Sequence, residues 1–413
     1  MLKVPTVLAR FRLGCHVDGA KILEMTEIHG SAQIQFATPS ELCLLRAALL
    51  EGPPAGEALE TWLASLQDEE IANGFSGLGS ASRRLLPLVY RNAKPFIPPH
   101  LREALRLIHH EYWAANQKHR SHLQEFLAWF EQKGIPTLVL KGMALSVLHY
   151  HDMALRPMSD LDILVPEDRA PEAIDWLQRE GWSSVYYRAS APRNRYFWCH
   201  THAFPLEHPH YGTLDLHWHA LAEATFEGAD QPFWKDSVEL ALNSITTRSL
   251  NPTDQLIHAC VHGFTANALP PIRWVADAVI VLRSSEVDWT RLLTLAKELH
   301  VTLPLSACLS FLRARFSAPI PEEVVGQLEA IVVDHAERRY FETLVHQAAD
   351  WRQVLAYNLE RHRRANRDRN PIVWIGSLPM QLQLHYNLPH FKDLGSFAFS
   401  RLKRRFHQRI GNS

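Results

Sequence analysis

Leu155-Arg156-Pro157-Met158-Ser159-Asp160-Leu161-Asp162-Ile163-Leu164-Val165 is the stretch that decides the fold. Two acids stand one residue apart at the head of an apolar run. A strand alternates its faces, so Asp160 and Asp162 point to one side. Leu161, Ile163 and Val165 point to the other, toward a core. Two carboxylates held side by side repel unless a cation lies between them. The simplest such cation is Mg²⁺, a hard ion that takes carboxylate oxygen and substrate phosphate together, with Mn²⁺ as the alternative. An Asp-x-Asp pair alone is more often solvated strand-edge charge. Here a strongly apolar strand lies behind it and a glycine-helix element before it, and neither is needed by a solvated pair.

That element is Leu140-Lys141-Gly142-Met143-Ala144, read as a glycine turn entering a helix that runs to about His151. Before it, Ile135 to Leu140 is a short buried strand. After the acids, Pro166-Glu167-Asp168 starts a helix that ends at Gly181. Trp182 to Arg188 is a further strand candidate, and residues 196 to 219 supply more strand with a turn at Pro209-His210-Tyr211-Gly212. Within them Leu214-Asp215-Leu216-His217-Trp218 carries a third acid, and Asp215, His217 and His219 share one face. This alternation implies an α+β protein: a small mixed sheet flanked by N-terminal and C-terminal helical regions.

The rest of the chain is assigned around that core. Residues 1–37 are strand-like. Residues 38–133 are helical, opening on Thr38-Pro39-Ser40-Glu41 and closing at Gly134, with Leu123, Phe126, Leu127 and Phe130 at core spacing. Residues 134–250 form the core. Residues 251–360 are a second helical domain, begun by the capping signal Asn251-Pro252-Thr253-Asp254. Residues 361–413 form a basic tail with Arg361-His362-Arg363-Arg364 and Arg401-Leu402-Lys403-Arg404-Arg405, read as a solvated face. No internal repeat is visible.

The 413 residues suit two or three domains. A net charge of -1 argues against a general nucleic-acid binder. Five scattered cysteines without a Cys-x-x-Cys pair suggest reduced thiols in a cytoplasm. No signal peptide and no membrane span is expected.

Taken in order, these motifs resemble the uncharacterised bacterial nucleotidyltransferase family of the polymerase-beta-like superfamily. The likeness rests on Leu140-Lys141-Gly142, Tyr150, the run from Leu155 to Val165, Asp215-Leu216-His217-Trp218, Leu256-Ile257-His258-Ala259-Cys260-Val261-His262-Gly263 and Arg273-Trp274-Val275-Ala276-Asp277. It covers roughly residues 40 to 290. The wider superfamily carries Gly-Ser or Gly-Gly about ten residues before Asp-x-Asp. Here Met143 follows Gly142 and the gap is longer, so Ser159 is the candidate to supply the hydroxyl. The resemblance implies a Mg²⁺-dependent transfer of a nucleoside monophosphate from a nucleoside triphosphate to an acceptor, with release of pyrophosphate. Asp160, Asp162 and Asp215 would be the catalytic metal ligands. Lys141, Gly142, Arg156 and Ser159 would bind the nucleotide. The acceptor, whether small molecule, protein or RNA, is left open.

Other readings compete. The same fold serves a non-catalytic nucleotide sensor or assembly protein, although retention of three acids weighs against a dead site. His258 and His262 lie four apart on one helix face, a zinc-compatible spacing, and with His217 and His219 would make a zinc hydrolase. Core or hydrogen-bonded histidines are the commoner case, since the usual Glu after the first histidine is replaced by Ala259. Arg156 either clamps phosphate or pairs with an acid in its loop. Asp277 is a candidate to cap a helix or to pair with His258 or His262.

Overall fold

The computed structural model describes residues 26–28, 32–184, 195–243, 245–264, 272–345, 351–366 and short pieces between 376 and 396. The chain divides into two compact units, Met1–Gln35 and Phe36–Ser413. In the first, β1 (Thr26–Ile28) and β2 (Ala32–Ile34) form an antiparallel ribbon.

The second unit is α+β, with seven strands in one mixed sheet: β3 (Leu138–Val139), β4 (Asp160–Leu164), β5 (Ser183–Ser184), β6 (Ala203–His208), β7 (Gly212–His217), β8 (Val238–Leu242) and β9 (Ile245–Ser249). Their spatial order is β5-β6-β7-β4-β3-β9-β8. β4 runs parallel to β7 and antiparallel to β3, so the Asp-x-Asp strand is central. In the β4–β7 register Asp162 lies beside Asp215, Asp160 beside Thr213 and Leu164 beside His217. Alternation works as the sequence requires. Leu161, Ile163, Val165, Leu214 and Leu216 enter a core with Leu123, Phe126, Leu127 and Phe130 of the long helix Arg102–Gln132. Asp162, Asp215 and His217 occupy the other face.

Helix boundaries follow local chemistry. The Thr38 side chain accepts from the Glu41 amide, and Glu41 accepts in return from the Thr38 amide, which starts the helix Pro39–Leu49. The Asn251 side chain caps the helix Pro252–Gly263 through the Asp254 amide at 3.0 Å. That helix ends where the chain meets Trp274. A Cβ added at Gly263 would lie 2.1 Å from the Trp274 ring, so only glycine fits the crossing. Trp274 packs against Phe311 and Phe36, as a core tryptophan should.

Two local expectations change. Residues 195–200 form a helix, not strand, because Phe197 and Trp198 pack against Trp218 and the Thr201 amide bonds back to the Phe197 carbonyl. The strand expected over 182–188 is observed as β5, and residues 185–188 lie outside the described residues. The basic stretch at 401–405 also lies outside them. Among the described residues, no helix is long and apolar enough to cross a membrane.

Candidate active site

The turn between β3 and the next helix sets the first cation. Lys141 has φ +44°, a left-handed conformation that a non-glycine residue adopts at a cost of about 1–3 kcal/mol. The sequence suggested that Gly142 would make this turn. Instead Gly142 is needed for proximity, since a Cβ there would lie 3.1 Å from Met158 Cβ and 3.3 Å from Arg156 Nη1. The helix Lys141–Leu145 then passes into a π-helical turn over Ser146–Tyr150. The strained turn directs Lys141 Nζ to within 2.6 Å of Asp162 Oδ1, with both side chains largely shielded from water.

Asp162 is the most enclosed acid of the site. Burial alone would raise its pKa, but Lys141 and His217 outweigh that and hold the carboxyl well below the usual range. His217 contributes through Nε2, 3.1 Å from Asp162 Oδ1. Lys141 shows the complementary shift: burial would lower its pKa, and Asp162 raises it. Asp215 moves the other way, pushed up by burial and by the negative charge of Asp162.

Asp162, Asp215 and His217 each offer a ligand atom, and these atoms lie within 4.8 Å of one another. This is the one such group among the described residues. His217 Nδ1 is buried and has no hydrogen-bond partner there. Two carboxylates and an imidazole whose Nε2 turns toward Asp162 fit a divalent cation. Asp160 stands outside this group, one step up β4, where its carboxylate accepts from Ser159 Oγ at 3.1 Å.

Beside the acids is an open pocket of ≈ 560 Å³ empty volume, the solvent at its mouth included. Lys141, Arg156, Arg273, His258 and His262 line it, with Asp277 the one acid. Arg273 donates to the Pro157 carbonyl at 3.2 Å, and burial followed by the neighbouring Arg156 brings its pKa down to about 10. It is still cationic at neutral pH. His258 is pushed down to about 3 by burial and by Lys141, and His262 is also well below its ordinary range from the same causes. Both are neutral imidazoles at neutral pH.

The Arg156 side chain is committed elsewhere. Its Nε and Nη2 each lie 2.8 Å from an Asp277 oxygen, in a buried bidentate pair, and the Tyr150 hydroxyl joins Asp277 at 2.7 Å. Thus Asp277 pairs with Arg156 and Tyr150, not with His258 or His262 as the sequence suggested. The pairing alternative for Arg156 is realised, with an acid on the helix Arg273–Ser284 and not in its own loop. The zinc grouping is not assembled: His258 and His262 stack on each other, and His219 is held by Asp230 at 2.6 Å.

The family model described as "Uncharacterised nucleotidyltransferase" matches residues 80–317. The chain belongs to that family. It is therefore a nucleotidyltransferase enzyme. No curated protein matches the chain. Among solved structures, the lincomycin-bound lincosamide antibiotic adenylyltransferase LnuA is 18% identical, with 40% of this chain and 97% of that one covered and a TM-score of 0.29. An antigenic nucleotidyltransferase-like protein from Paracoccidioides brasiliensis is 12% identical, with coverages of 53% and 96% and a TM-score of 0.32.

Proposed function

We propose that this nucleotidyltransferase moves a nucleoside monophosphate from a nucleoside triphosphate to an acceptor nucleophile, releasing pyrophosphate, with a divalent cation held at the acids of β4 and β7. The observation that carries the reading is the adjacency of two features. A cation-competent group, Asp162-Asp215-His217, lies next to a pocket lined by Lys141, Arg156 and Arg273. The first suits a metal and the second a polyanion.

A bound divalent cation would neutralise phosphate oxygens and lower the pKa of an acceptor hydroxyl. The protein's own groups do the positioning. Asp162 is ionised at any physiological pH, so it is ready for a cation without losing a proton. Lys141 reaches both Asp162 and the pocket, which suits it to follow a phosphate. Arg273 supplies fixed positive charge in the pocket wall. Arg156 acts at one remove, holding the Pro157–Ser159 loop to the C-terminal helices through Asp277. Ser159 is exposed and Asp160 half-exposed at the start of β4, so both are open to solvent. No covalent enzyme intermediate is needed, because positioning and charge stabilisation carry this chemistry.

The test is pyrophosphate release and label transfer from labelled triphosphates in a cell extract, with Asp160→Asn as the control. Asp160 is half-exposed at the strand start, so the variant should melt within about 0.5 kcal/mol of wild type. Its turnover should fall by about two orders of magnitude or more. A folded variant with wild-type turnover would remove Asp160 from the chemistry. Triphosphate binding without transfer to any acceptor would favour a nucleotide sensor.

A further inference from the structure

We infer that His217 is a metal ligand, so that the site on β4 and β7 prefers a first-row transition ion such as Mn²⁺ to Mg²⁺. The inference rests on the reading above only in placing a cation at these acids.

Three observations carry it. First, proximity selects His217, not Asp160, as the partner of the two central acids. Second, the imidazole is fixed by burial, at 1% exposure, with Nε2 turned toward Asp162. Third, the site already contains a positive charge, since Lys141 Nζ rests on Asp162 Oδ1. The same oxygen faces His217 Nε2, so a cation taking the ammonium's place would meet an imidazole as well as carboxylates.

The ligand chemistry then sets the preference. Mg²⁺ favours an all-oxygen shell and gives up its water reluctantly. Imidazole nitrogen suits first-row transition ions, whose affinities rise from Mn²⁺ onward, and Mn²⁺ shares with Mg²⁺ a preference for carboxylate. A site with Asp, Asp and His therefore tilts away from Mg²⁺. The competing role for His217 is to orient Asp162 by a hydrogen bond while remaining outside the metal shell.

The two roles separate spectroscopically. Mn²⁺ added to the nucleotide-free full-length protein should show nitrogen modulation in its electron spin echo. Competition titrations should give a Mn²⁺-to-Mg²⁺ affinity ratio that falls about tenfold in His217→Gln, whose amide oxygen is a harder donor. Bound Mn²⁺ without nitrogen modulation, or a ratio unchanged in His217→Gln, would overturn the inference and leave nucleotidyl transfer standing. No cation bound at all, with or without triphosphate, would overturn both. If His217→Gln does not fold, the wild-type spectrum decides alone.

Discussion

Lys141 is the residue on which two demands meet. Its ammonium neutralises Asp162, and its side chain also borders the pocket. Lys141→Met would leave a buried carboxylate with His217 alone, a loss of about 3 kcal/mol. Calorimetric melts in chelator should show that loss, and saturating Mn²⁺ should raise the melting temperature of the variant more than that of wild type. An equal rise in both would mean that ammonium and cation do not share Asp162. At this scale the facing of the candidate site's side chains was legible. A period of two placed Asp160, Asp162, Asp215 and His217 on site-facing sides of their strands. The third acid's partner was less visible, because alternation gives a face but not a depth: Asp160 is half-exposed and His217 buried. The left-handed turn at Lys141 left no mark in the sequence, where Gly142 was the natural candidate.

At the scale of elements, the buried Arg156–Asp277 pair ties the loop before β4 to the helix Arg273–Ser284. Arg156→Met should cost about 3–5 kcal/mol, since it strands Asp277 and the Tyr150 hydroxyl. Arg156→Met with Asp277→Leu should recover a good part of that loss. Denaturant titrations of the four proteins in the cycle would measure the coupling, and strictly additive losses would refute it. Helix starts at Thr38 and Asn251 were readable because a cap is a contact between near neighbours. The Arg156–Asp277 pair was not, because its partners are 121 positions apart and the local sequence offers each of them nearer counter-ions. The helix over residues 195–200 was missed for a related reason: aromatic residues favour strands locally, and here distant Trp218 decides their packing.

At the scale of the whole molecule, buried neutral histidines make acid a denaturant. His258 has a folded pKa of about 3 against an ordinary value near 6.5. Between those limits the unfolded chain binds a proton that the folded one refuses. Stability is therefore full above pH 6.5 and falls as pH drops toward 3, by up to about 1.4 kcal/mol per unit for this one group. Lys141, His217 and Asp162 are the charged or titratable groups that act on it, and it acts in turn on His262. His202 and His262, depressed in the same direction by burial, steepen the fall. Melts in chelator from pH 7.5 to 4.5 should show this slope, and His258→Gln should make it shallower. A variant as acid-sensitive as wild type would exclude His258 as a source. The α+β class was open to the sequence because strand and helix periods alternate through residues 134–250. The order of the strands was not, since adjacency of β4 and β7 depends on the path taken between them.

That adjacency bears on the order of events in folding. Asp162 and His217 lie 55 positions apart in the chain and become neighbours only when the parallel pair closes. Parallel pairing over such a distance is a late and slow step. On the proposed reading, a cation gripped by both strands would find no site until that pair has closed. It should act as a clasp on the finished molecule, lengthening the lifetime of the native state while leaving the refolding rate where it was.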